Sequence, residues 1–289
     1  MKKVLIAGAT GYLGRFVVRE LKNQGFLTKV LVRNKQQAIA EGPFDAPAIA
    51  AYTDEIVEAE IIDPSTLIDI CKDVDCVFTS IGITRQKDKV TFKDVDFQGN
   101  LNLLQEAEKH RVKKFMYIHV LTDDKGEELG PLIEAKSRFV ETLTKSFIPH
   151  IIFKPSGYFS DVSELFQMAQ NGRIFLFGKG TNKLNPIHGS DLASFCVQSF
   201  RENNKTLDIG GPDIYTYRQI AELAFEVLNK KERVWHIPKI LSAQSLFLLK
   251  YVNKHYYGLA KFMINGMSKD SVGPAFGTYH LKDYFDNSR

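Results

Sequence analysis

Long apolar runs are missing from this sequence. The most apolar stretch, residues 246–249, is closed by Lys250, far short of the roughly 18–20 residues that a membrane-spanning helix needs. Lys2 and Lys3 are followed only by residues 4–7 before Gly8 arrives, so the hydrophobic region of a signal peptide is not expected either. Cysteine is scarce. Cys71, Cys76 and Cys196 are an odd number without metal-ligand spacing, which excludes a disulfide scaffold and predicts no metal site. They suit buried thiols in a reducing, cytoplasmic compartment. A large excess of one charge is missing too: 38 Lys and Arg stand against 34 Asp and Glu, for a net +4. So small and scattered a surplus predicts no nucleic-acid partner. Repeats, low-complexity tracts and Ser- or Pro-rich linkers do not occur. With 44% hydrophobic and 25% charged residues over 289 positions, a globular chain remains, long enough for one α/β domain and an appended lobe.

Strand-like and helix-like segments alternate through the first half. Residues 4–7 are uniformly apolar and predict a buried parallel strand. Residues 15–21 carry Phe16, Val17 and Leu21 among charges, the pattern of an amphipathic helix. Further strands are predicted at 29–32, 56–62, 75–80, 114–120 and 150–153, with helices at 100–109 and 134–146. Pro64 opens another helix, with Asp63 as its N-cap. This order predicts a doubly wound parallel α/β sheet. After residue 155 the pattern loosens into strand pieces at 174–177 and 206–209 and helical pieces at 191–199 and 217–228, joined by Gly-rich turns. The expected division is a nucleotide-binding domain over 1–155 and a smaller C-terminal substrate lobe over 156–289, partly interleaved with the first, with a cleft between.

Gly8-Ala9-Thr10-Gly11-Tyr12-Leu13-Gly14 spaces three glycines as G-x-x-G-x-x-G between the first strand and the first helix. A dinucleotide pyrophosphate needs backbone N–H groups and the positive end of a helix macrodipole, and glycines let the chain come that close. The competing reading is a tight turn that binds nothing. Gly8, Thr10, Gly11, Tyr12, Leu13 and Gly14 are thus candidate cofactor-binding residues of a Rossmann domain. About 20 residues on, NAD-binding chains usually place an acid for the ribose 2′-hydroxyl. Here stands Val32-Arg33-Asn34-Lys35. The Arg33 guanidinium, with Asn34 and Lys35 beside it, suits a 2′-phosphate, so NADP(H) is the expected cofactor. A solvated strand-end arginine is the plainer alternative.

These residues at this spacing resemble the atypical branch of the short-chain dehydrogenase/reductase superfamily, above all its NmrA-like and isoflavone-reductase-like groups and the divinyl chlorophyllide 8-vinyl reductases. The similarity continues in Ile62-Asp63-Pro64-Ser65-Thr66-Leu67, ahead of which Glu60 and Ile61 would flank the adenine. Thr79-Ser80-Ile81-Gly82 resembles the strand end that passes along the cofactor, and Val95-Asp96-Phe97-Gln98-Gly99-Asn100 the segment whose Asn ties strands together. Glu134-Ala135-Lys136 is similar to the helix carrying the superfamily lysine. Lys154-Pro155-Ser156-Gly157-Tyr158-Phe159 resembles the R-P-x-x-x-F turn, with Lys for Arg. Asn185-Pro186-Ile187-His188, Asp191-Leu192-Ala193 and Gly210-Gly211-Pro212 complete the likeness over nearly the whole chain. The resemblance implies a dinucleotide-binding reductase fold and adds Glu60, Ile61, Ser80, Ile81, Gly82, Lys136, Pro155, Ser156 and Tyr158 to the cofactor-binding candidates.

In that superfamily a Tyr four residues before the Lys exchanges the substrate proton, and the lysine lowers its pKa. Here Leu132 holds that place, and His119 stands where a Ser is common. Alcohol–ketone interconversion by a Ser–Tyr–Lys set is therefore not expected. Lys136 would bind nicotinamide ribose and bring positive charge to a developing enolate; a surface lysine is the other reading. His119, Thr122, Tyr158 and His188 are the groups able to deliver a proton, with His119 favoured by an ordinary pKa of about 6.5 and opposed by the reading as a core histidine. The catalytic candidates are Lys136, His119 and Tyr158. The predicted pocket lies at the carboxyl edge of the sheet, lined by His119, Tyr158, Phe159 and His188. Residues 239–269 interleave aromatic and aliphatic side chains with lysines and read as a lid, a membrane-contact surface or plain packing. The expected function is an NADPH-dependent reductase transferring hydride to a polarised C=C bond or quinone-like small molecule, apolar or conjugated. The alternative is an NADP(H)-binding regulatory, redox-sensing or assembly protein without turnover.

Overall fold

Val4, Leu5, Ile6 and Ala7 lie fully buried in β1 (Lys3–Ala7), an interior strand of a seven-stranded sheet. The computed structural model describes residues 2–83, 90–122, 130–238, 246 and 254–289. β1 pairs in parallel with β2 (Leu27–Val32), and β2 with β3 (Glu55–Glu58). On its other side β1 pairs in parallel with β4 (Cys76–Thr79), followed outward by β5 (Lys114–Ile118) and β6 (His150–Pro155). β7 (Ile174–Phe177) and β8 (Lys183–Leu184) lie outside this sheet, and β9 (Lys205–Ile209) completes its order, β3-β2-β1-β4-β5-β6-β9. The helices of this doubly wound Rossmann fold include α1 (Tyr12–Asn23), the single turn α2 (Gln36–Ile39), α3 (Asn100–Lys109) and α4 (Pro131–Lys145). Strand order reverses between β1 and β4, so their carboxyl ends form the switch point at which such sheets bind ligands.

Three expectations are corrected. The third strand stops at Glu58 instead of 62, because the Thr66 hydroxyl accepts from Glu60 N–H and donates to Glu60 O, folding the chain into a turn. The helix at Pro64 is one 3₁₀ turn, Pro64–Leu67, although Asp63 does cap it by accepting from Ser65 N–H at 3.0 Å. Arg15, read as part of a charged helix face, is buried at 4% exposure.

Residue contacts divide the chain into two compact units, Met1–His119 with Glu134–Lys154 and Leu192–Leu207, and Val120–Ile133 with Pro155–Asp191 and Asp208–Arg289. The second has its own core, in which α5 (Phe159–Gln170), α7 (Tyr217–Val227) and α9 (Leu281–Asp286) bring together Phe159, Phe166, Ile220, Phe225 and Phe285. α8 (Lys254–Gly266) also belongs to this unit, whereas α6 (Gly189–Gln198) starts in it and runs from Leu192 onward in the first. β7 pairs in parallel with β11 (Val234–Ile237), and β8 antiparallel with β10 (Tyr215–Thr216). Most of the 239–253 part of the apolar tail lies outside the described residues. Among the described residues no helix is long and apolar enough to cross a membrane.

One buried side chain knits this second unit. Asn185, 0% exposed, donates to the carbonyls of Gly211 (3.0 Å) and Gly273 (2.9 Å) and accepts from Gly273 N–H at 2.9 Å. Asn185→Leu is expected to strand all three groups in the interior, at about 1–3 kcal/mol each. A loss of some 3 kcal/mol should lower the melting temperature by roughly 6–12 °C, read by calorimetry.

Candidate functional site

At the switch point the chain leaves β1 through Gly8, whose φ of +82° favours glycine. A Cβ there would meet Ser80 Oγ at 2.8 Å, so the ends of β1 and β4 touch. Gly14 is tighter still, because its Cβ would fall 2.1 Å from Gly8 O and 2.9 Å from Ala9 Cα. Gly11, exposed, is the N-cap of α1 and offers no side chain to cover the helix end. The first N–H groups of a helix have no intrahelical acceptor, and the macrodipole makes that end positive. Close approach and the positive potential of a helix end together fit a dinucleotide pyrophosphate. Thr10 and Tyr12 are half-buried beside this end, and Leu13 is buried.

Arg33 is exposed just beyond β2, followed by Asn34, whose side chain is engaged locally by accepting from Gln36 N–H at 2.8 Å. Strand pairing adds something the sequence order conceals. Glu58, in register with Val32, accepts weakly from Lys35 N–H at 3.4 Å, so a carboxylate does stand beside the segment that follows β2. Glu60 is half-buried with its main chain held by Thr66. Ile61 is buried at 4%, against the place where a Gly99 Cβ would be, 2.9 Å from Ile61 Cγ2.

Lys136 is not a surface lysine. It is 8% exposed, and its Nζ lies 3.3 Å from Oδ1 of Asp96, itself 0% exposed. Oδ2 accepts from Ile83 N–H at 3.1 Å, while Oδ1 has the charge contact but no hydrogen bond. Burial pushes the Asp96 carboxyl above the ordinary range, against the opposing pull of Lys136. The ammonium also lies 5.4 Å from the centre of the Tyr117 ring. Both charges press on Gly82, where a Cβ would meet Asp96 Oδ1 at 2.6 Å and Lys136 Nζ at 3.0 Å. The pair therefore sits against the half-buried Ser80-Ile81-Gly82 strand exit, as a cation held in a dry place. Asn100 completes the anchorage, accepting from Thr79 Oγ1 at 2.8 Å and donating to Asp96 O at 3.0 Å.

His119 is buried at 3%, with Nε2 3.4 Å from the hydroxyl of Ser137, the residue after Lys136. Lys136, Asp96, Gly82 and His119 thus belong to the unit that holds residues 8–14 and Arg33, whereas Pro155, Ser156 and Tyr158 belong to the second unit. There Pro155 is buried, Ser156 donates to Asn185 O, and Tyr158 stands half-buried ahead of α5. Phe159 and His188 are 1% and 2% exposed. His188 stacks on Tyr279 at 4.2 Å and accepts from Ser190 N–H through Nδ1, which makes it part of the second unit's packing. Arg15 and Asp96 are the participants the sequence reading passed over. A basic residue at the amino end of α1 runs against the helix dipole and was a usable signal; Asp96 was visible as the Asp of a D-x-x-G-N pattern, but its partner was not.

A family model described as NAD(P)H-binding matches residues 8–203. The chain is 26% identical over 254 residues to a photosystem II assembly factor of Guillardia theta, covering 86% of this chain and 76% of that one. It is 26% identical over 326 residues to the chloroplastic divinyl chlorophyllide a 8-vinyl-reductase of Oryza sativa subsp. indica, covering 98% and 77%. An NADPH-dependent quinone oxidoreductase of Escherichia coli, solved with NADPH, shares the fold at a TM-score of 0.71 and 17% identity over 99% of each chain. The family match runs from Gly8 past Lys136, through the glycine loop and the strand ends just described, and the chain belongs to the NAD(P)H-binding family.

Proposed function

We propose that this protein is an NADPH-dependent reductase that transfers hydride to a polarised C=C bond or a quinone-like acceptor. The observation that carries the reading is a cation with no phenol four residues ahead of it: Asp96 holds Lys136 beside Gly82, Leu132 at that place is buried and apolar, and the tyrosine that does lie near the ammonium, Tyr117, is fully buried in the sheet. Carbonyl reduction makes an alkoxide that must be protonated as it forms. Addition to a conjugated acceptor leaves a delocalised anion, for which nearby positive charge suffices. Bound NADPH would supply the hydride. The pyrophosphate would rest on the main chain of residues 8–14, and the 2′-phosphate on Arg33 and Asn34. Glu60 and Ile61 would flank the adenine, and Ser80, Ile81, Gly82, Pro155 and Ser156 would line the nicotinamide half. Lys136 would hold ribose hydroxyls and steady the anion, His119 would return the proton, and Tyr158 would orient the acceptor.

A second reading draws on the same pair. An ammonium already neutralised by Asp96 suits holding better than chemistry, and one relative is a photosystem II assembly factor. In that reading the protein binds both NADP+ and NADPH, turns over neither, and acts through a partner. The deciding experiment follows NADPH oxidation at 340 nm across enones and quinones. Turnover above the no-enzyme rate is the expected result. A flat response to every acceptor, with a partner protein co-purifying in only one cofactor state, would give the second reading the case.

Cofactor choice is tested separately. Arg33→Ala removes a charge-assisted contact of about 1.5–3 kcal/mol, so NADPH affinity should fall roughly 10- to 150-fold. NADH affinity should stay within about twofold, since it lacks the phosphate. Calorimetric titration of both cofactors reads this, and equal affinities in the unaltered protein would contradict the NADPH preference outright. Glu58→Gln should move the balance further towards NADPH by removing the neighbouring negative charge.

A further inference from the structure

We propose that Arg15 is a positioning residue for cofactor choice, clamping the segment at 37–47 that follows Arg33 onto the phosphate loop and so fixing where Arg33 stands. This rests on the reading of Arg33 as the 2′-phosphate contact. A basic residue near a helix N-terminus is placed against the macrodipole, and α1 has no acid in its first turn to offset it. The guanidinium is nevertheless buried, makes no ion pair among the described residues, and is shifted down in pKa by burial. Main-chain carbonyls take up its donors. Nε donates to Thr10 O at 2.9 Å, in the phosphate loop. Nη1 donates to Ala40 O at 2.6 Å and Pro47 O at 2.9 Å, and Nη2 to Gln37 O at 2.7 Å. One acceptor thus lies in the loop that receives the pyrophosphate, and three lie in the segment beyond Arg33.

That segment contains only the four-residue α2 and a tight turn, closed by Gly42 N–H donating to Ala46 O at 2.8 Å. At the turn's tip Phe44 and Asp45 both occupy the left-handed region, with φ of 57° and 58°. Conformations of that kind persist only where surrounding contacts over-determine them. Arg15 supplies such contacts: its stem crosses the turn so closely that a Gly42 Cβ would lie 2.5 Å from Arg15 Cδ. A planar fork reaches diverging carbonyls at once, and a lysine ammonium, a single point charge, does not. Arg15 therefore couples the register of the phosphate loop to that of the segment reading the ribose.

The test titrates NADPH and NADH calorimetrically into the native protein and into Arg15→Lys, Arg15→Gln and Arg33→Ala. Both Arg15 variants should weaken NADPH about tenfold or more and NADH by less than about threefold, because three of the four carbonyls released belong to the segment that follows Arg33 and only one to the loop that both cofactors use. Limited proteolysis should cut faster within 34–47. A ratio of the two affinities unchanged in both variants overturns the proposal, whatever their melting temperatures. Should they fail to fold, Gly42→Ala, which pushes the same side chain from the turn, is expected to lower the ratio as well. Arg33→Ala reads the underlying assignment independently. If it collapses the ratio and the Arg15 variants do not, the clamp fails alone. If it leaves the ratio intact while the Arg15 variants collapse it, the phosphate contact moves to another residue of the clamped segment.

Discussion

Gly14→Val is expected to abolish dinucleotide binding. A Cβ at this position would fall 2.1 Å from Gly8 O and 2.8 Å from Gly8 C, and neither is the end of a side chain that could swing aside. The loop must open, and the N–H groups at the head of α1 move away from the site they would present to a pyrophosphate. A loss of at least about a hundredfold in NADPH and NADH affinity alike is expected, together with an overpacking cost on the order of 1–3 kcal/mol. Gly25→Ala serves as the comparison. Gly25 has a φ of +80° with nothing within 4 Å of its Cβ position, so that variant should lose about 1–2 kcal/mol from the left-handed conformation and bind both cofactors normally. Titration of the two variants side by side separates a blocked loop from a merely destabilised chain. Retained binding in Gly14→Val would refute the loop as the phosphate site.

The second large effect comes from Lys136→Met. Removing one partner of a buried pair leaves an uncompensated charge, at a cost of about 3–5 kcal/mol. Here the cost should depend on pH, and the sign can be worked out. Burial holds the Asp96 carboxyl above its ordinary range and Lys136 pulls it down, so loss of the lysine raises it further. A carboxyl with a folded pKa above its unfolded one binds more protons in the native state, and stability then declines as pH rises through that window. Lys136→Met should therefore lose stability relative to the native protein as pH rises above the ordinary carboxyl range, with a slope of up to about 1.4 kcal/mol per pH unit, and the comparison is made at about pH 5 and about pH 8. Asp96→Asn combined with Lys136→Met removes both charges and should flatten the profile. Urea denaturation at the two pH values is the measurement, and equal destabilisation at both would show that Asp96 does not carry the effect.

Much of this was legible in the sequence. A uniformly apolar run such as Val4-Leu5-Ile6-Ala7 has no stable place except inside a sheet covered on both faces, and glycines at 8, 11 and 14 between strand and helix leave few alternatives for the turn. What escaped was what depends on partners distant in sequence. Periodicity puts a charged Arg15 on the solvent face and cannot see carbonyls contributed 22, 25 and 32 residues later. Asp96 stands between Val95 and Phe97 with nothing local to mark Lys136 as its partner. Glu58 appears beside Val32 only once β2 and β3 pair. Phe159 and His188 pack against each other and against Tyr284, more than a hundred and nearly a hundred residues further on, which the turn sequence around them does not announce.

The Asn185 node has a consequence for how the protein is made. Its side chain closes on Gly273, 88 residues further along, so the interior around it cannot form until that later stretch has left the ribosome. At 5–20 residues per second this is a delay of roughly 4–18 s. During that interval β1 to β6, whose strands follow one another at short spacing, are free to assemble. The nascent chain would then carry a finished phosphate loop on a molecule whose remaining apolar residues are still uncovered, the period in which a chaperone has most to hold.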